Sequence, residues 1–157
     1  MPRIPETNTR FRTKEQLCKD IATILSADLH YGTKHAVLSE VTWVWSEFNG
    51  KYKGCEHWSE EAWLLRDQPK RLVHEHIIPK KMLIEQLLQL SNPNAMSVKA
   101  LLTRHCIGAV ITREEDRRLS NSGLRSKMPE GWVWNENESD VWARYSLAGI
   151  KLRMPHP

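Results

Sequence analysis

The sequence has no apolar run that approaches the roughly 18 residues of a membrane-spanning helix, and no basic-then-apolar leader opens the chain. We therefore expect a protein that is not exported and that has no membrane as a partner. Cysteine is scarce, with three widely spaced residues, Cys18, Cys55 and Cys106. No two of them have the C-x-x-C spacing of a structural zinc site, so we expect reduced thiols and a cytoplasmic location. Internal repeats and low-complexity tracts are also lacking.

Length and composition indicate a folded soluble domain. The chain has 157 residues, of which 40% are hydrophobic and 27% are charged. This is enough apolar material for a hydrophobic core and too much for a disordered chain. We interpret residues 1–157 as a single domain whose first dozen residues form a flexible arm. The pattern predicts an α+β fold, in which a helical N-terminal half surrounds a hairpin and a helix within about residues 70–120.

Apolar periodicity predicts the elements of this fold. A first strand covers about 71–78 and a second covers 105–112, both rich in β-branched residues. Thr112 then begins a T-x-x-E capping box that opens a helix at 113–120. We expect the strands to pair antiparallel, with this helix lying across them. Further helices are predicted at 14–30, 33–48, 59–67, 80–90, 97–104 and 140–147, and a candidate strand at 149–153.

The charge of the chain is mildly basic, with 23 Lys and Arg against 19 Asp and Glu, a net charge of +4. The distribution of these charges matters more than the total, because the cations gather in clusters and two clusters bracket the first predicted strand. Such clusters form either a solvated face or a contact surface for a polyanion. The clusters are Arg10–Lys14, Lys70–Arg71, Lys80–Lys81 and Arg113–Arg118.

Three ionisable residues stand in the middle of the first strand, in RLVHEHIIPKK at 71–81. A buried polar group is unfavourable unless another group pairs with it. Two interpretations therefore stay open for His74, Glu75 and His76. In one, the histidines are half-exposed and Glu75 is bonded to an arginine such as Arg71 or Arg104. In the other, the three residues hold a ligand.

The segment Glu75-His76-Ile77-Ile78-Pro79 resembles the acid-His-x-x-Pro opening of the HNH, or ββα-metal, endonuclease family. The later segment CIGAVITREEDRRL, a strand followed by a capped helix, is similar to the second half of that unit. The resemblance covers about residues 70–120, under a third of the chain. It implies a ββα hairpin and helix, a divalent cation (Mg²⁺, Mn²⁺ or Zn²⁺) and hydrolysis of phosphodiester bonds, with DNA expected ahead of RNA.

The resemblance also implies roles for individual residues. His76 would be the general base that deprotonates water, and Glu75 would be a metal ligand. Glu115 or Asp116 on the helix would supply a further ligand, although Glu115 is also the acid of the capping box. Strict strand alternation instead places His74 and His76 on one face as the metal-binding pair, with Glu75 on the other face. A local bulge would restore the pairing of Glu75 with His76.

The expected nucleic-acid contacts are Lys80, Lys81, Arg113 and Arg117, which flank the two strands. Two other classes of function remain open. The chain could be a non-catalytic nucleic-acid-binding module, whose seven tryptophans either stack on bases or fill the core. It could also be a small inhibitor or regulator that binds another protein. The sequence does not determine the oligomeric state.

Overall fold

The computed structural model describes residues 12–135 and 139–154, and it confirms the α+β fold. The predicted arm therefore lies outside the described residues except for its end. In chain order the elements are α1 (Lys14–Ser26), α2 (Tyr31–Ser46), α3 (Glu60–Leu64), β1 (Leu72–His76), α4 (Lys80–Leu88), α5 (Ala95–His105), β2 (Gly108–Thr112), α6 (Arg113–Asn121) and α7 (Ala143–Leu147). No helix within these two ranges is long and apolar enough to cross a membrane.

The first two helices are bounded by capping side chains. The Thr13 hydroxyl accepts the N–H of Gln16 at the start of α1, and the backbone becomes extended at Ala27. His30 then caps α2, because its Nδ1 accepts the N–H of Gly32 at 3.0 Å. The predicted helices at 14–30 and 33–48 are thus correct in type. The predicted end of the first helix and the predicted start of the second are wrong. The first helix ends at Ser26, and the second begins at Tyr31 because the imidazole of His30 caps it.

The two strands form the predicted antiparallel hairpin. Leu72 pairs with Thr112 at one end and His76 pairs with Gly108 at the other, in a continuous register without a bulge. Both strands are shorter than predicted. The second begins at Gly108 because α5 continues through residue 105. His105 therefore lies in the last turn of a helix, 1% exposed, and its prediction as the first residue of the second strand is wrong.

Helix α6 lies against the hairpin, and its capping box fixes where it begins. The Thr112 hydroxyl accepts the N–H of Glu115, and the Glu115 carboxylate accepts the N–H of Thr112 at 2.7 Å. Two donors that the first helical turn would otherwise leave unpaired are thereby satisfied. The helix packs on both strands and buries Leu119 beside Ile111 in the main hydrophobic core. The predicted ββα order is confirmed.

A short extended segment borders the free edge of β2. Trp58 forms a parallel bridge with Val110, and Ser59 bridges Leu152 on its other side. The candidate strand at 149–153 is therefore reduced to this one bridge. Trp58 packs with Ala62, Leu72 and Val110 in a second, smaller hydrophobic cluster. The two faces of the hairpin are thus covered by different parts of the chain, the α6 side by the main core and the other side partly by this cluster.

We predict that Gly108→Ala destabilises the fold by roughly 1–3 kcal/mol, the usual result of overpacking. A Cβ at this position would lie 2.3 Å from Nε2 of the buried His74 ring. Gly32→Ala is the control, because its Cβ would meet only the exposed His30 side chain, at 3.3 Å, and alanine favours helix. Urea unfolding should show a lower free energy of unfolding than the parent for the Gly108 variant, and no loss for the Gly32 variant. A Gly108 variant as stable as the parent would contradict this packing.

Candidate functional site

The His-Glu-His strand presents two separate faces. Its alternation is strict, with His74 and His76 buried on one side and Glu75 half-buried on the other. Since the pairing with β2 has no bulge, nothing rotates Glu75 toward His76. Of the two geometries that the sequence left open, the structure has the one that pairs the histidines. Glu75 and His76 therefore do not point toward a common site, as the family resemblance implies that they would.

His76 lies in an aromatic and backbone environment under α2. Its ring centroid is 4.0 Å from that of Trp43, and its Nε2 lies 3.4 Å from the carbonyl oxygen of Thr42. Burial lowers the pKa of His76 to about 3, so the ring is neutral at pH 7. A neutral imidazole can accept a proton, but a general base must reach the water that it deprotonates. With 3% of its surface exposed, this ring is not placed for that role.

His74 is buried beside the start of β2. Its Nδ1 is 3.4 Å from Oε1 of Glu47 but outside hydrogen-bonding geometry, and its Nε2 has no hydrogen-bond partner among the described residues. Burial, together with the charge of Lys51, lowers the pKa of His74 to about 4. His74 is therefore a second neutral imidazole at pH 7. Its ring centroid lies 6.5 Å from that of His76.

Glu75, on the opposite face, is bound by two residues of α7. Nη2 of Arg144 donates to Oε1 of Glu75, and the Tyr145 hydroxyl donates to Oε2. Burial raises the pKa of Glu75, and these two donors oppose the rise because they stabilise the carboxylate. Both carboxylate oxygens are thus engaged within the protein. The arginine that pairs with Glu75 is neither Arg71 nor Arg104, the two that the sequence suggested.

Arg144 has 0% of its surface exposed and makes several bonds at once. Its Nε donates to the carbonyl of Ile77 at 3.2 Å, and its Nη1 donates to the carbonyl of Leu124 at 2.8 Å. It therefore joins the end of β1, the segment after α6, and α7. Sequence reasoning missed Arg144 and Tyr145. No local pattern points to them, because Arg144 is 69 residues from Glu75 along the chain.

The two helix acids proposed as ligands have different surroundings. Glu115 is 1% exposed, and its Oε2 accepts both the Thr112 N–H and the Ser59 hydroxyl, the latter at 2.6 Å. It is therefore committed to the cap of α6. Asp116 is half-buried and close enough to Glu75 for its charge to raise the pKa of that residue.

The residues present do not fit a metal ion. Among the described residues, no group of three or more His, Cys, Asp or Glu side chains is placed to hold one. The five predicted ligands are divided between three places. His74 and His76 lie under α2, Glu75 and Asp116 lie between β1 and α6, and Glu115 lies in the helix cap. The Glu75 carboxylate, moreover, already has a cation bound to it, the Arg144 guanidinium.

The predicted basic contacts lie at both ends of the hairpin. Lys80 and Lys81 begin α4 just beyond β1, and the Lys80 ammonium is 5.4 Å from the ring centroid of Trp43. Arg113 begins α6 at the other end, where its Nε donates to the carbonyl of Lys70 at 2.6 Å. Arg117 follows one turn later. The charges of Lys81 and Arg117 stay available, since their side chains are 68% and 69% exposed and their acidic neighbours are 4.0 and 3.9 Å away.

We predict that acid destabilises the protein between about pH 6.5 and pH 4. The unfolded chain binds protons in this range, whereas His74 and His76, with native pKa values of about 4 and about 3, do not. Stability is therefore full above pH 6.5 and is lost as the pH falls, by on the order of 3 kcal/mol for each histidine at pH 4.

The measurement is urea unfolding from pH 7.5 to pH 4, with His76→Phe as the comparison variant. Phenylalanine keeps a ring beside Trp43 but does not titrate, so this variant should lose about half as much stability as the parent. Equal losses in the two proteins, or a parent whose stability is constant down to pH 4.5, would contradict the placement of these imidazoles.

Comparison of the chain with protein-family models, with curated proteins and with solved structures found no match. The resemblance to the HNH family accordingly stays a prediction, carried by residues 75–79 and by the strand and helix that end in REEDRRL. The order and pairing of β1, β2 and α6 agree with it. The environments of His76 and Glu75 differ from the roles it implies.

Proposed function

We propose that the protein binds nucleic acid, with DNA as the expected ligand, through the basic residues around the β1–β2–α6 unit. The observation that carries this proposal is the exposure of Lys81 and Arg117 beside weak ion-pair partners. An ammonium or guanidinium that is not held within the protein can replace the counterions of a phosphate.

The spacing of the charges supports a contact along a phosphate backbone. Lys80 and Lys81 lie past one end of the five-residue strand β1, and Arg113 lies at the other end, next to the Leu72–Thr112 pair. A strand of this length spans about 13 Å. The phosphates of one strand of duplex DNA advance by about 3.4 Å each along the helix axis. The two ends of the hairpin are therefore about four phosphates apart, a distance that a single continuous segment of DNA bridges.

The location that we propose is the cytoplasm, where thiols remain reduced. The three cysteines support this, because each is a free thiol in the structure. Cys18 and Cys106 are also buried within the main hydrophobic core.

We predict that the double substitution Lys80→Ala and Lys81→Ala weakens DNA binding and lowers the slope of log affinity against log salt by up to about 1.8, since each lost phosphate contact contributes about 0.9. Lys19→Ala with Lys127→Ala is the control. It removes the same charge from exposed positions outside β1 and β2. Fluorescence anisotropy over a salt series measures both quantities. Equal salt slopes for the two double variants would exclude Lys80 and Lys81 as phosphate contacts.

Phosphodiester hydrolysis is a second candidate function. One specific observation favours it, namely the ββα arrangement with Glu75 and Asp116 near each other between β1 and α6. Acids from the first strand and from the helix are the ligands that the HNH resemblance implies. The arrangement differs in that Arg144 and Tyr145 hold the Glu75 carboxylate, so this carboxylate would have to leave Arg144 before it could bind a cation.

The test of hydrolysis is incubation with plasmid DNA and Mg²⁺, Mn²⁺ or Zn²⁺, with and without EDTA. If the unit is a nuclease, we expect nicking that EDTA stops and that Asp116→Asn removes. Asp116 lies outside the cap that Glu115 forms, so the variant should remain folded. The role that the resemblance gives to His76 predicts instead a fall of roughly two to four orders of magnitude in His76→Ala. DNA binding without cleavage under every metal condition would exclude hydrolysis and leave the binding function.

A further inference from the structure

A polar cleft lies on the other side of the hairpin from Glu75, where the end of α2 meets the start of β2. Its volume is about 140 Å³, and its walls include Lys14, Trp45, Phe48, Asn49 and His57, with Gly108 among the backbone surfaces. Pockets for drug-sized ligands begin near 300 Å³. A cleft of this size therefore suits one heteroaromatic ring better than a whole dinucleotide or a large cofactor.

Lysine ammoniums lie over aromatic rings at and around this cleft. The Nζ of Lys14 is 4.7 Å from the ring centroid of Trp45 and 5.5 Å from that of Phe48. The Nζ of Lys51 is 5.6 Å from the Tyr52 ring. Alternation of cations with aromatic faces is the composition of a surface that binds single-stranded nucleic acid, because the rings stack on bases while the cations meet phosphates. Phe48 is 38% exposed, which leaves part of its surface accessible to a base.

The polar groups of the cleft are suited to binding and not to thiol chemistry. The Cys55 Sγ lies 3.3 and 3.4 Å from the carbonyl oxygens of His57 and Gly108, either of which can accept its single S–H. Burial raises the pKa of this thiol, so it stays protonated and unreactive. Glu56 lines the cleft as well, and its carboxylate offers an acceptor to an N–H group of a base, such as the N3–H of thymine or uracil. Behind Gly108 lies the buried His74 ring, whose Nε2 has no hydrogen-bond partner among the described residues.

We propose that this cleft receives one unpaired base of a single-stranded nucleic acid, with Phe48 stacking on it and Lys14 and Lys51 contacting the flanking phosphates. This inference rests on the proposed nucleic-acid-binding function and specifies its ligand as single-stranded. A base paired within a duplex is stacked on both faces and cannot enter a cleft of this size unless it is extruded. The protein should therefore prefer single strands to duplexes of the same length.

The experiment is fluorescence anisotropy with labelled oligonucleotides of about 12 nucleotides, within the range of site sizes known for single-strand binding. A thymidine oligomer, a uridine oligomer and a blunt DNA duplex are compared at the same salt concentration. We expect both single strands to bind more tightly than the duplex. Phe48→Ala and Phe48→Leu should each weaken single-strand binding by roughly 5- to 140-fold, the range for loss of one base–aromatic stack. The leucine variant keeps an apolar side chain, so a stacking loss is separated from a folding defect.

Lys14→Ala should lower the salt slope for single strands by about 0.7, and Lys14→Arg should restore it. Lys19→Ala, on the exposed side of the same helix, is the matched control and should bind like the parent. Duplex binding equal to single-strand binding, or a Phe48→Leu variant with parental affinity, would overturn the cleft proposal while leaving nucleic-acid binding intact. Failure of the parent to bind any of the three probes would overturn the proposed function and the cleft proposal together.

Discussion

The buried ion pair between Arg144 and Glu75 is the interaction on which the ββα unit depends. A guanidinium with 0% of its surface exposed is tolerated in a protein interior only if a carboxylate neutralises it and acceptors satisfy its N–H groups. Glu75 supplies the charge, and the carbonyls of Ile77 and Leu124 accept two further bonds. Because these groups belong to β1, to the segment after α6 and to α7, the pair fixes elements that are distant in sequence against one another.

This constraint explains why the middle of β1 carries ionisable residues and how their roles divide. Glu75 faces the α6 and α7 side and neutralises Arg144, while His74 and His76 face α2 and remain uncharged. This division gives the two faces of the hairpin different surroundings. One face carries the Glu75 carboxylate, which Arg144 neutralises. A cleft with lysines and aromatic rings lies on the other face, where Gly108 forms part of its wall.

Local patterns in the sequence were sufficient for the hairpin, its antiparallel pairing and the capped helix α6. Each depends on residues close in sequence, such as Thr112 with Glu115, and strand alternation correctly set His74 and His76 apart from Glu75. The partner of Glu75 could not be predicted in this way, because Arg144 is 69 residues away and a tertiary ion pair has no local signal. His105 was misplaced because it is the first residue of the β-rich run HCIGAVIT, whereas α5 continues through His105.

The measurement that tests this account most directly is a double-mutant cycle on the free energy of unfolding, with Glu75→Gln, Arg144→Met and the double variant. Removing Arg144 alone should cost about 3–5 kcal/mol, because it leaves a buried carboxylate without a cation. The double variant should be more stable than the sum of the two single losses predicts, by about 0.5–3 kcal/mol. Strictly additive losses would contradict the account, because they would show that Glu75 and Arg144 stabilise the ββα unit independently of each other.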